Sequence, residues 1–361
     1  MLIFTSSGTI VPDTITRLQG ETMLDDSTYI SRFDSNNALG VVMGQFEQLQ
    51  HDFSVESQTA EIKGVVVAGM GGSALAASFV PVWPGLSVPY EICRGYELPS
   101  WVDGATLVIV SSYSGNTEET IACLKDAEAK GAQVAVISAG GSLVECASDR
   151  NLPLAQLPSD LQPRMAPFYN FKALLSIMAA YKLVKAEVLN QISEVAQKMQ
   201  NIPALWGPSV PTADNQAKQV AETFMGKTPI IYGGMLYPAA YKWKINVNEN
   251  AKNTAWCGQY PEFNHNEFIG WSSHPVEKPF AVVDLISSFD HPQVQKRFEV
   301  SDRLLSGKRP KALQIHAEGE TLLEQLLWSV ALGDMVSVYL ALLNGVNPTP
   351  VDLIEKFKKE L

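Results

Sequence analysis

The sequence predicts an α/β protein built from two doubly wound parallel-sheet subdomains with helical additions at its N- and C-terminal ends. Three observations carry this. The apolar run VVVAGMGGSALAASFV at 65–80 passes from a buried-strand pattern through a glycine turn into a helix start. Further apolar strands alternate with helical stretches, which is the grammar of a parallel sheet. The same grammar then recurs in the C-terminal half.

Taken in order, residues 13–54 have a partly amphipathic helical pattern and form a lead-in. A first strand starts at Gly64 and further strands follow at 90–94, 106–110 and 133–138, with a helix between the last two that runs to about Lys130. Residues 170–199 are rich in Ala, Leu, Lys and Glu at helical spacing, and Pro203, Pro208 and Pro211 punctuate what comes next. PIIYGGMLYPAAY then echoes VVVAGMGGSALAA, matching Gly234-Met235 to Gly69-Met70, and VVDLISSFD echoes LVIVSSYSG, matching Ser287-Ser288-Phe289 to Ser111-Ser112-Tyr113. A last strand at 311–316 mirrors 133–138. Two copies of one α/β unit explain these matches. The expected division is an N-terminal extension at 1–45, a first subdomain at 46–205 and a second at 206–361.

Composition narrows the function classes. The 361 residues are 46% hydrophobic and 18% charged, which suits a folded globular chain with a sizeable core. Lys and Arg number 27 against 38 Asp and Glu, a net charge of −11, and no basic run exceeds Lys358-Lys359. That lacks the footprint of a nucleic-acid binder. Cys93, Cys123, Cys146 and Cys257 form no CxxC pair, so neither a disulfide framework nor a zinc knuckle is expected, and a reducing cytoplasm is the expected location. The N-terminus MLIFTSSGTIVPD has no basic region and no apolar run of signal-peptide length. The segment 326–343 approaches transmembrane length, but Trp328, Ser329, Gly333, Asp334 and Ser337 mark it as a buried core helix, and no membrane partner is expected.

A glycine turn between a strand and a helix presents backbone N–H groups at the positive end of the helix dipole, a ready site for an anion. Gly69-Met70-Gly71-Gly72-Ser73 has that form. Alone it also fits a dinucleotide fingerprint, with Glu91 as the ribose acid. A second loop adds weight: Ser112, Ser114 and Thr117 bring three hydroxyls within six residues, Gly115 frees the backbone, and 116–119 reads as the cap of the next helix. Gly72, Ser73, Ser112, Ser114 and Thr117 are therefore the candidate phosphate-binding residues. In the second copy Gly71-Gly72-Ser73 is replaced by Leu236-Tyr237-Pro238, and 114–117 by Asp290-His291-Pro292-Gln293. One phosphate site per chain is expected, in the first half.

SSYSGNTEET at 111–120 resembles the sugar-phosphate loop of SIS (sugar isomerase) domains, and the duplication resembles the two-SIS layout, flavodoxin-like in each half, of the phosphoglucose isomerase superfamily. NENAKNTAWCGQYPEFNHNEFIGW at 248–271 and the ending NGVNPTPVDLIEKFKKEL narrow the likeness to bifunctional phosphoglucose/phosphomannose isomerases. The resemblance covers roughly 40–361. It implies a metal-free and cofactor-free aldose–ketose isomerase that interconverts glucose 6-phosphate, mannose 6-phosphate or both with fructose 6-phosphate through a cis-enediol. Glu249 of the NEN motif would be the base that moves a proton between C1 and C2. His265, able to donate and accept near neutrality, would open the pyranose ring and would come from the neighbouring subunit of a homodimer. Arg164, permanently charged, would stabilise the enediolate. Thr349 and Lys356, on what looks like a helix N-cap and its second turn, would contact the sugar, with Thr349 small enough for both C2 epimers. A zinc cluster of His265 with Glu262 and Glu267 is disfavoured, since no paired-His spacing occurs. Isomerisation of another sugar phosphate, and a non-catalytic sugar-phosphate sensor, remain the alternatives.

Overall fold

The computed structural model describes residues 23–273 and 277–360. Residues 1–22 of the 1–45 extension, including the start of the helical lead-in, lie outside them. The described part of that lead-in is broken: a 3₁₀ turn Met23–Asp25, α1 (Ser27–Phe33), α2 (Ala38–Met43) and a 3₁₀ turn Gln45–Gln50. Asp26 caps α1 by accepting from the Thr28 amide at 2.8 Å, and Asp34 accepts from the first two amides of α2 at 2.6 and 3.0 Å.

Strands β1 (Gly64–Gly69), β2 (Tyr90–Cys93), β3 (Thr106–Ser111), β4 (Gln133–Ser138) and β5 (Leu154–Gln156) form one parallel sheet in the order β2-β1-β3-β4-β5. β6 (Thr228–Gly233), β7 (Trp256–Gln259), β8 (Phe280–Ile286) and β9 (Leu313–His316) form a second, β7-β6-β8-β9. The two orders match, so the inferred duplication is a property of the fold. The central strands β1 and β3 are buried along their whole length, which is why they read as continuous apolar runs. β5 and β7, absent from the sequence reading, are short edge strands with half-exposed faces.

The repeat register differs from the sequence match by one residue at the glycine turn and by two at the serine loop, where Gly69 pairs with Ser111 but Gly233 with Leu285. Gly69 and Gly233 both end their strands, so Gly69 corresponds to Gly233 and not Gly234. One residue, Met70, then precedes α3 (Gly71–Leu75), whereas three, Gly234 to Leu236, precede α9 (Tyr237–Glu249). The second glycine turn is longer and no longer wraps tightly into its helix.

The remaining helices are α4 (Glu118–Ala129), α5 (Gly141–Asp149), α6 (Pro167–Ala180), α7 (Glu187–Met199), α8 (Gln216–Phe224), α10 (Glu267–Gly270), α11 (Pro292–Leu304), α12 (Leu322–Leu343) and α13 (Asp352–Glu360). The 170–199 stretch is thus two helices, parted where Lys182 takes φ +58°. α12 is the described helix long and apolar enough to cross a membrane, and it is buried inside the protein against α8, α9 and α2. Side chains of both sheets, among them Val67, Ile109, Ile231 and Val283, join α6 and α12 in one hydrophobic core.

On the other face of the second sheet, Asp284 of β8 is fully buried, 4.0 Å from the Arg309 guanidinium. Burial pushes its carboxyl up to about 7 despite the pull of Arg309, and Asp302 adds to the push. The folded state therefore binds a proton that the unfolded chain releases near pH 4, and the stability this confers is lost as pH rises through 7. Asp284→Asn should flatten the melting-temperature profile between pH 4 and 7, with a difference from wild type of the order of a few kcal/mol across that range. Parallel profiles for the two proteins would place Asp284 in the ionised form throughout.

Candidate active site

Two loops meet at the carboxyl ends of β1 and β3. Ser73, in α3, accepts from the Tyr113 amide at 3.0 Å, and the Ser111 hydroxyl donates to the Ser73 carbonyl at 3.3 Å, so the glycine turn and the serine loop are laced together. The Ser112 hydroxyl lies 2.7 Å from that of Thr117 and 3.5 Å from that of Ser114. The structure thus brings Gly72, Ser73, Ser112, Ser114 and Thr117 into one region, with Ser73 and Ser112 buried and Ser114 exposed. Gly115 is required here by two constraints: its φ is +72°, and a Cβ would collide with the Gly140 carbonyl oxygen.

The capping assignment changes. Asn116 does not cap α4; its Oδ1 accepts from the amide and hydroxyl of Ser142, both at 3.0 Å, at the start of α5. Thr117 occupies the N-cap of α4 without a side-chain cap bond, because its hydroxyl is engaged with Ser112. The first turn of α4 therefore keeps uncapped N–H groups beside three hydroxyls.

The matching place in the second half is filled from within. Asp290 Oδ1 accepts from the Met235 amide at 2.6 Å and Oδ2 from the Ser287 amide at 2.9 Å, while Gln325 takes up the hydroxyls of Ser287 and Ser288, each at 2.7 Å. A carboxylate of the chain itself thus takes up two amides at the carboxyl end of the second sheet.

From the first cradle the contacts run onward to Arg164. Gly72 packs so closely on the 3₁₀ turn Pro163–Met165 that a Cβ would lie 2.9 Å from the Arg164 amide nitrogen. The Arg164 side chain is 1% exposed and held on every side. Its Nε donates to Asn250 Oδ1 at 2.6 Å, Nη2 to the Pro348 and Thr349 carbonyls at 3.0 and 2.8 Å, and Nη1 to Gln162 Oε1 and Glu249 Oε2, both at 3.4 Å. Burial pulls the guanidinium below its usual pKa and Glu249 opposes that. Glu249, the last residue of α9, keeps 26% of its side chain exposed. It lines a cavity of about 700 Å³ between the end of α9 and the segment 346–354.

Lys252 closes this cluster. It takes φ +51° just past α9, and its ammonium meets the carbonyls of Glu249, Asn250, Asn347 and Pro348 at 2.9, 3.2, 2.9 and 3.0 Å. Burial, with Arg164 adding, pushes the ammonium down to about 8 against the pull of Glu249 and Asp352. A cation at a helix C-terminus complements its free carbonyls. The sequence reading noted Lys252 and Asn250 only as flanks of Glu249. Asn250 could have been found from its helical spacing with Asn246 and Lys242, but a cation that binds only backbone carbonyls has no partner residue types to signal it.

One expectation is revised, that for Thr349, while Lys356 and His265 both lie apart from the Arg164–Glu249 pair of their own chain. Thr349 is not a helix N-cap: α13 starts at Asp352, Thr349 accepts from Arg164 through its carbonyl, and its hydroxyl is buried without a hydrogen-bond partner among the described residues. Lys356 is exposed on α13, makes no hydrogen bond or ion pair with the described residues, and does not line the cavity, whose wall ends at Ile354. The structure does not bring it to Arg164. His265 ends the 3₁₀ turn Glu262–His265, exposed and likewise unbonded to the described residues of its own chain, while Phe263 beneath it is buried against Tyr232 and Tyr260. A single chain therefore assembles Arg164 and Glu249 but not His265. Among the described residues, no group of three or more His, Cys, Asp or Glu is arranged to hold a metal ion.

Residues 213–361 match the family model described as bacterial phospho-glucose isomerase C-terminal SIS domain. A bifunctional phosphoglucose/phosphomannose isomerase from Caldicellulosiruptor bescii is 36% identical over 319 residues, 87% of this chain and 94% of the relative. A D-glucosamine-6-phosphate 4-epimerase from Sulfolobus acidocaldarius is 34% identical over 62% of this chain and 70% of its own length. Among solved structures, a glucose-6-phosphate isomerase like protein from Thermus thermophilus has the same fold, with a TM-score of 0.63 at 18% identity over 94% of this chain and 99% of that one. The nearly full-length match at 36% identity and the paired sheets agree on one conclusion: the chain belongs to the bifunctional phosphoglucose/phosphomannose isomerase family.

Proposed function

We propose that this chain is a sugar-phosphate isomerase that interconverts fructose 6-phosphate with glucose 6-phosphate and mannose 6-phosphate through a cis-enediol. The observation that carries the reading is the pairing of a buried, fully held Arg164 with a partly exposed Glu249 at the edge of a cavity. In the open-chain aldose, the Glu249 carboxylate takes the C2 proton and the C1 oxygen gains a proton as the enediol forms; return of the carbon-bound proton to C1, with loss of the O2 hydroxyl proton to make the C2 carbonyl, yields the ketose. Arg164 offers its charge to the oxygens that become negative only during transfer, and its hydrogen bonds hold it ready without reorganisation. Gly72, Ser73, Ser112, Ser114, Thr117 and the uncapped start of α4 hold the phosphate. The Thr349 hydroxyl, which has no hydrogen-bond partner among the described residues, serves the sugar near C2. Lys356 is left out because it has no contact with the cluster. No metal or cofactor enters this scheme. The two-unit division 46–205 and 206–361 follows the duplication, with the reactive groups drawn from both units.

Conversion of fructose 6-phosphate by EDTA-treated protein tests the reading, with both aldose phosphates and glucosamine 6-phosphate assayed separately. Formation of both aldose phosphates is expected; turnover of the amino sugar alone would redirect the site to another substrate. Glu249→Gln should lower kcat by about 10²- to 10⁴-fold while fructose 6-phosphate still binds, and a near-wild-type rate would remove Glu249 as the base. Replacing Ser114 and Thr117 together by alanine should raise KM by about 10- to 100-fold, as expected for lost hydrogen bonds to a charged group. An unchanged KM would move the phosphate elsewhere.

The exposed His265 fits a role in the neighbouring subunit of a homodimer, where it would open the sugar ring. Mixing inactive Glu249→Gln and His265→Ala proteins with subunit exchange should then restore about a quarter of wild-type activity, since half the dimers carry one intact site. No recovery would place His265 in its own chain's site, and a His265→Ala protein that keeps its activity would place it outside the chemistry.

A further inference from the structure

The interface between α9 and α12 buries an ion pair beside several polar side chains. Lys242 Nζ lies 2.6 Å from Asp334 Oδ1, the residues are 0% and 2% exposed, and Asn246 donates to the same oxygen. Such a pair contributes little net stability, because the desolvation of both charges offsets their attraction, and apolar side chains of similar volume often serve a helix interface as well. Its contacts suggest another purpose. One turn along α12, the Ser337 hydroxyl donates to the Asp334 carbonyl at 2.8 Å and accepts from Asn250 Nδ2 at 2.9 Å. Asn250 Oδ1 in turn accepts from Arg164 Nε at 2.6 Å.

Each bond in this series sets the direction of the next. Ser337 gives its single proton to the Asp334 carbonyl, so it can only accept from Asn250. The Asn250 amide is thereby turned with its oxygen toward Arg164; reversed, it would set an NH₂ against the Nε–H. Lys242, Asn246 and Asn250 recur every fourth residue along one face of α9, so the charge at Asp334 also fixes the rotation of the helix that ends in Glu249. We infer that Ser337 and the Lys242–Asp334 pair are positioning residues for the isomerisation, holding Asn250, and through it Arg164, in register with Glu249.

This rests on the isomerase reading given above, and the test separates the two. Fructose 6-phosphate turnover is measured for wild type, Ser337→Ala, Ser337→Thr and the neutral double variant Lys242→Met/Asp334→Asn, with melting temperature and folded fraction determined for each. In folded Ser337→Ala, kcat should fall about 10- to 100-fold, the scale of a small misplacement of reacting groups, with KM within about threefold of wild type. Ser337→Thr, which keeps the hydroxyl, should recover most of the rate. If Ser337→Ala does not fold, the double variant is read in the same way. Full kcat in a folded variant, or losses that vanish once corrected for folded fraction, would overturn the positioning role and leave the isomerase reading intact. Wild-type protein that turns over no sugar phosphate would remove that reading and this inference with it.

Discussion

A guanidinium withdrawn from water must be surrounded by acceptors, and that requirement at Arg164 organises this molecule. Its partners come from segments far apart in the chain: Gln162 beside it, Glu249 and Asn250 at the end of α9, and the carbonyls of Pro348 and Thr349. An unmet buried charge would cost several kcal/mol, so the 3₁₀ turn after the first sheet, the last turn of α9 and the segment before α13 have little freedom to separate. Lys252 reinforces the same junction by binding carbonyls of two of these segments. The two sheets are thus joined where Arg164 meets Glu249, as well as through the shared core around α6 and α12.

The division of labour between the two copies follows from small local changes. In the first, a one-residue turn leads from β1 into α3, Gly115 allows the serine loop to pass under the Gly140 carbonyl, and hydroxyls crowd an uncapped helix start. In the second, the turn is two residues longer and Asp290 binds the exposed amides. The same architecture therefore yields an open cradle in one half and a closed one in the other. The second half contributes Glu249 instead, because α9 runs from that longer turn to the Arg164 junction.

Much of the fold was legible because burial leaves a strong mark on composition. β1, β3 and β4 are apolar on both faces, and α12 is apolar all round, so periodicity and length identified them. β5 and β7 escaped notice because three- and four-residue edge strands are paired on one side only and keep polar or exposed residues. The one-residue slip at the glycine turn of the repeat arose from aligning glycine pairs, whereas strand ends, which obey hydrogen-bond register, set the true correspondence. At the site, Arg164, Glu249 and the serine loop stood out through side-chain chemistry and motif resemblance. The Asn116 cap was misassigned because a free asparagine can serve either of two nearby helix starts, and tertiary contact with Ser142 decides between them. The carbonyls of 347–349 were invisible, since every residue carries one.

Asp290 has one further consequence. A carboxylate tethered to the loop it occupies never dilutes, so a dissolved phosphate would have to displace a ligand that is always present and already bonded to the amides it needs. The loop of the second copy is thus occupied by a piece of itself. Duplication here has doubled the scaffold without doubling the amides left open at the strand ends.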